Sequence, residues 1–135
     1  MDGVGGTWNW YTRDGVNIPK KEIGEQVERI RARDSGDAKL FLAAVVEQLE
    51  RAKRGQLVEP DEVKIAMWRA RGINEIRWAL DSGAWRMYFC EPLRLQRDRV
   101  MVALLFGRKV TLDEQDEDID EANERYAWWG RAANG

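Results

Sequence analysis

Two neighbouring segments alternate between apolar and polar residues, and a short turn joins them. In the first, Ile76, Trp78 and Leu80 fall on one face, and Glu75, Arg77 and Ala79 on the other. In the second, Trp85, Met87 and Phe89 oppose Arg86, Tyr88 and Cys90. A period of two belongs to a pleated strand with one face buried. Asp81-Ser82-Gly83 between them reads as a hairpin turn. After a polar loop at 91–99, residues 100–106 are wholly apolar, as in a strand buried on both faces. Three antiparallel strands therefore form the nucleus that the rest of the chain must cover.

The covering elements precede and follow it. Residues 7–12 are rich in strand formers, and Arg13-Asp14-Gly15 ends them in a turn. Pro19 can open a helix that carries Ile23, Val27 and Ile30 at helical spacing. Asp34-Ser35-Gly36-Asp37 breaks it and supplies a cap for a second helix at roughly 37–54. Phe41, Val45, Leu49 and Ala52 form that helix's apolar face, widened by Leu42 and Val46. Residues 56–72 alternate only weakly, at Val63, Ile65 and Met67. A last helix from Asp116 places Ile119, Ala122, Tyr126 and Trp129 on one face. The expected fold is α+β: two N-terminal helices on a small antiparallel sheet, then a C-terminal helix. One domain over 1–135 is expected, with 1–6 and 131–135 disordered.

Composition narrows the chemistry. There is no histidine and a single cysteine, Cys90, which removes the usual zinc ligands and any disulfide framework. No metal and no cofactor are expected. No apolar run reaches the length of about 18 residues that a membrane helix needs, and the N-terminus lacks the pattern of a signal peptide, so a cytoplasmic location is expected. The net charge of −2 conceals a division. Residues 60–110 carry ten basic and six acidic side chains; residues 111–125 carry eight acidic and one basic. Of the seven tryptophans, Trp78, Trp85 and Trp129 fit the core pattern. Trp8, Trp10 and Trp128 are the ones expected to supply an exposed ring.

Several short motifs occur in order along the chain. Gly15-Val16-Asn17-Ile18-Pro19 resembles the Gly-x-x-Pro turn that opens the first helix of the HigB-like, phage-derived branch of the RelE/ParE toxin superfamily. Leu49, Gly55 and Pro60 stand where that branch has a leucine, a helix-ending glycine and a proline. Ile73-Asn74-Glu75-Ile76-Arg77 is similar to its Gly-Leu-x-Glu-Leu-Arg strand, and Trp85-Arg86-Met87-Tyr88 to Tyr-Arg-Val-Leu-Tyr. Phe106-Gly107-Arg108-Lys109 resembles a Phe-x-Lys-Lys strand end. Ile119, Ala122 and Arg125 match a Glu-Ile-x-x-Ala-x-x-Arg helix, with Asp118 in place of the usual Glu. The resemblance covers most of the chain and implies a RelE-like fold. It also implies the toxin of a type II toxin–antitoxin system, an endoribonuclease cutting mRNA on the ribosome. The implied partners are a cognate antitoxin, a small helix-turn-helix protein, together with ribosome and mRNA.

Cleaving RNA through its own 2′-hydroxyl requires a base, cations for the charged phosphorane, and an acid for the leaving oxygen. Arginine suits the second task because its planar fork binds phosphate in two places and keeps its charge. By the resemblance Arg86 is the phosphate-binding arginine, and Arg108 or Lys109 a second cation. Arg77 and Lys64 are candidate RNA contacts. Tyr88, Lys109 and Lys64 are the candidates for proton transfer, since histidine is absent and the family's C-terminal tyrosine position falls on Ile119. The same arginines can instead pair with neighbours such as Glu75. The alternative function is then a non-catalytic binding protein on this fold, either a ParE-like gyrase inhibitor or a phage protein acting through protein contacts.

Overall fold

A computed structural model describes residues 6–81, 83–92, 99–109 and 111–134. Strand β1 (Thr7–Trp10) is followed by a two-stranded ribbon of β2 (Thr12–Arg13) and β3 (Val16–Asn17). Helices α1 (Ile18–Arg31) and α2 (Ser35–Lys53) come next. Then follow β4 (Val63–Lys64), β5 (Asn74–Leu80), β6 (Gly83–Cys90), β7 (Val100–Arg108) and α3 (Leu112–Asn134). The main sheet has the order β1-β7-β6-β5-β4.

The helix boundaries follow local chemistry. Asn17 accepts a hydrogen bond from Lys20 N and Pro19 sits in the first turn of α1, where its missing N–H costs nothing. Asp34 caps α2 by accepting from Gly36 N and Asp37 N. Thr111 does the same for α3, its hydroxyl accepting from Glu114 N. The third helix thus begins at Leu112, ahead of the Asp116 start inferred from periodicity, and it continues to Asn134. The expected disordered tail is therefore helical as far as residue 134. At the other end Gly6 is buried and donates to Lys53 O at 2.8 Å, so order begins before Thr7. Residues 1–5 and 135 lie outside the described set, as do Ser82 of the hairpin turn and most of the loop at 91–99.

The sheet is mixed, which corrects the expectation of a purely antiparallel one. β1 pairs parallel with β7, Thr7 opposite Val100 and Trp10 opposite Ala103. The α1–α2 hairpin and three later strands separate the two in sequence, so alternation within either segment carries no sign of the pairing. β5, β6 and β7 are antiparallel, as the hairpin pattern requires.

Both faces of the sheet are covered. Ile76, Trp78, Trp85, Met87, Phe89, Met101 and Phe106 pack against Ile23, Val27 and Ile30 of α1 and Phe41, Val45 and Leu49 of α2. Trp85 is 2% exposed, its ring 4.7 Å from that of Phe41, and its indole N–H reaches Gln26 at 3.3 Å. Tyr88, Cys90, Val102, Leu104 and Leu105 form a second core with Ile119 and Ala122 of α3. This accounts for the wholly apolar stretch of β7: it lies between two helical layers. Leu42 and Val46, expected to widen the apolar face of α2, are instead largely exposed.

Replacing Trp85 with Ala should cost about 3–5 kcal/mol, because a large cavity opens where the helices meet the sheet. Urea unfolding would show a lower midpoint. A midpoint equal to that of the unchanged protein would contradict this packing.

Candidate functional site

Cross-strand register decides which of the sequence-derived candidates share a face. Lys64 stands opposite Glu75, Glu75 opposite Tyr88, and Arg77 opposite Arg86. Directly opposed residues point the same way, so Lys64, Arg77, Arg86 and Tyr88 lie on one sheet face. This is the face that α3 partly covers. Arg108 is paired with Trp85 and so belongs to the opposite face, at its exposed end. Lys109 follows the strand, exposed, with its backbone N–H on Ala84 O at 2.8 Å. Arg108 therefore does not converge with Arg77 and Arg86 on one polar face, as the sequence had suggested.

The centre of the face is Glu75, whose side chain has no exposed surface. Its carboxylate accepts from Arg77 Nε and from Arg86 Nη1, and from Gln115 Nε2 of α3 at 3.2 Å. Burial alone would raise its pKa; the hydrogen bonds from Arg86 and Arg77 outweigh burial and hold it below the ordinary carboxylate value. Arg86 is itself buried, and its Nε has no partner among the described residues. The expectation of a solvent-facing Arg86 gives way to an internal ion pair beneath α3. Arg77 is the more accessible of the two arginines, with a third of its side chain exposed.

Tyr88 is 1% exposed. Burial, then the charge of Glu75, pushes its phenol above the ordinary value, so it keeps its proton at neutral pH. Cys90 is also buried and pushed up to about 12, chiefly by burial, so it offers no thiolate. Among the described residues no cluster of His, Cys, Asp and Glu could hold a metal ion.

Four carboxylates of the acidic segment 113–121, Asp116, Asp118, Asp120 and Glu121, engage neighbouring elements or α3 itself, while Asp113, Glu114 and Glu117 are exposed. Asp120 takes a two-pronged hydrogen bond from Arg69, at 2.7 and 2.8 Å, with Asp116 3.6 Å from the same guanidinium. Glu121 accepts from Arg125 at 2.9 Å. Asp118 lies close over Gly107, the residue paired with Arg86; a β-carbon at Gly107 would stand 3.2 Å from the carboxylate. Burial pushes Asp118 up to about 6, and the charges of Glu22, Glu114 and Glu117 add to this while Arg125 opposes it. A half-buried carboxyl titrating near neutrality is the kind of group that can give and take a proton at working pH. In the sequence Asp118 stood out only as a replacement for a helix glutamate, and Gln115 and Arg69 carried no signal. Only the spacing of Asp116 and Asp120, one helical turn apart, hinted that a single cation could bind both.

Among the described residues, no helix is long and apolar enough to cross a membrane. No protein-family model matches the chain, and no curated protein sequence matches it significantly.

Arg86→Ala should destabilise the protein by about 3–5 kcal/mol, since it removes the partner of a buried carboxylate. The double change Glu75→Gln with Arg86→Met should cost less than Arg86→Ala alone. Costs of Glu75→Gln and Arg86→Met, each measured alone in urea, that add up to the cost of the double variant would show that the pair is not coupled.

Asp118 supplies a pH dependence. Its folded-state pKa of about 6 lies above the ordinary 3.8, so the folded chain binds the extra proton between those values. Stability from this group is therefore greatest at low pH and falls as pH rises from 3.8 through about 6. Asp118→Asn should be the more stable variant at pH about 7 and lose that advantage below about pH 4. Melting temperatures of both proteins across that range would test it; a constant gap would exclude the carboxyl as the cause.

Proposed function

We propose that this chain is a toxin of the RelE/ParE type, HigB-like, from a type II toxin–antitoxin pair, and that it acts as a ribosome-dependent endoribonuclease on mRNA. One observation carries the reading. Lys64, Arg77, Arg86 and Tyr88, drawn from three adjacent strands, share one face of a sheet. The order of strand, two helices, antiparallel strands and helix, which the resemblance implies for a RelE-like fold, supports it further.

In this reading Arg77 and Lys64 meet the RNA phosphates, because both reach solvent. Arg86 stands behind Arg77 and shares Glu75 with it, so its effect on phosphate is exerted through Arg77's position and charge. Asp118 is the carboxyl of this face suited to proton transfer, and Lys109 is the exposed amine nearest the end of β7. The partners are a helix-turn-helix antitoxin and the ribosome with its mRNA, in the cytoplasm.

A second reading has a specific observation in its favour. Glu75 already engages both arginines, and α3 brings carboxylates to the same face. An anion approaching Arg86 meets a charge that is largely balanced. A non-catalytic binder on this fold, inhibiting gyrase or acting through protein contacts, would retain such a network unchanged.

Induced expression in bacteria separates the readings. The first expects growth arrest, new mRNA 5′ ends within translated frames, and relief by the neighbouring antitoxin gene. Arg77→Ala should lower cleavage by roughly a hundredfold, the usual loss when one charge-stabilising donor is removed. Gyrase-linked DNA breaks with intact mRNA would favour the inhibitor, and harmless expression the phage protein.

A further inference from the structure

Trp68 is 85% exposed, on the segment connecting β4 to β5. It makes no hydrogen bond or ring contact among the described residues. An indole left in water is costly, and a flexible loop would fold it back onto apolar surface. This loop is not free to do so. Ala66 N donates to Asn74 Oδ1 at 2.9 Å, and Met67 N to Ile73 O at 2.8 Å. Ala70 N reaches Met67 O at 3.2 Å and Ile73 N reaches Ala70 O at 2.9 Å. The Met67 side chain is buried in the second core, and Arg69 is clamped on Asp120. Ala66 is held at φ 55°, a conformation that costs a non-glycine residue energy. The segment is thus pinned on both sides of Trp68, and the ring is presented to solvent in advance of any partner.

The charges around the ring select the partner. Lys64 and Arg71 flank it in sequence, both exposed and without an ion pair among the described residues. Asp116 and Asp120 are engaged by Arg69, and Glu62 by Arg51, while Asp61 before β4 remains exposed. An exposed indole with an available cation a few residues away on either side in sequence matches an unpaired nucleobase and its neighbouring phosphates. We propose that Trp68, Lys64 and Arg71 form a binding site for single-stranded RNA, with one base stacked on the indole. The choice of RNA rests on the reading of an mRNA-directed protein; the placement of the site does not.

The test is binding of a short, labelled single-stranded RNA of mixed sequence to the full chain, followed by fluorescence anisotropy at about 50 and about 200 mM salt. Trp68→Ala should weaken binding about 5- to 100-fold, while Trp68→Phe retains most of it. Lys64→Ala and Arg71→Ala should each flatten the salt slope by about 0.7. Binding to the same sequence as a duplex should be indifferent to Trp68, since paired bases cannot stack on it. Melting temperature should not move, because the ring is exposed. No binding by the unchanged protein at low salt, or equal binding by Trp68→Ala, overturns the site. So does a Trp68→Ala variant that loses an antitoxin or ribosomal protein but keeps RNA, which marks a protein contact instead. RNA binding through Trp68 without growth arrest sustains the site and refutes the toxin. Growth arrest with binding indifferent to Trp68 does the reverse.

Discussion

A carboxylate without exposed surface, Glu75, organises one whole side of this protein. Removing such a charge from water costs several kcal/mol, and only close, well-directed donors offset that. Here the donors come from β5 itself, from β6 and from α3, through Arg77, Arg86 and Gln115. The third helix is therefore attached to the sheet by more than the burial of Ile119 and Ala122. Its polar surface is oriented too, because Gln115 must face Glu75. That orientation places Asp118 over Gly107 and turns Asp116 and Asp120 toward Arg69. The bond from Arg69 to Asp120 adds to the backbone bonds that order the β4–β5 connection.

A second set of polar contacts joins the layers where the sheet is irregular. β1 ends opposite Ala103, and the β6–β7 register slips beside Leu104. A bulge leaves backbone groups without ladder partners. Side chains supply them: Glu22 of α1 accepts from Phe106 N at 3.0 Å, and Arg125 of α3 donates to Leu104 O at 2.9 Å. Glu22 and Arg125 then pair with each other at 3.0 Å, so helices from opposite faces meet past the end of β1. Burial raises the pKa of Glu22 in spite of Arg125, and its charge in turn helps to raise that of Asp118.

Patterns within single elements were legible before the structure. The central apolar stripes of the helices, the hairpin and the doubly buried β7 follow from periodicity, and the 34–37 segment supplies a cap, at Asp34, as its chemistry suggests. The shared face of Arg77 and Arg86 was readable as well, because alternation and one turn determine it. What lay hidden depends on partners distant in sequence. The parallel β1–β7 pairing is of this kind, and so is the burial of Arg86 by a helix whose own sequence is strongly acidic. The exposed tryptophan shows the same limit. Trp8 and Trp10 read as surface candidates but pack on the first core, Trp8 with its ring 5.5 Å from that of Phe89. Trp128 is held against Tyr11, while Trp68, in a segment without clear period, is the ring in solvent.

The cations of this protein fall into two populations, and the distinction bears on any anionic partner. Arg69, Arg86 and Arg125 are tied to carboxylates; releasing Arg86 or Arg125 would strand Glu75 or Glu22 in a poorly solvated place, whereas Asp120, the partner of Arg69, is exposed. Lys64, Arg71, Arg108 and Lys109 reach solvent without such ties among the described residues. Long-range attraction of a polyanion depends on the second population, because a balanced pair has little field beyond its own neighbourhood. The first sets the shape of the surface on which the second is displayed. A partner that makes its first contact through Lys64 and Arg71 would meet the edge formed by β4 and its following loop before it met Arg86. Reaching the Arg86–Glu75 pair would then require α3 to shift and Gln115 to leave Glu75. The hydrogen bonding of that one buried carboxylate thus sets how firmly α3 is held over this face.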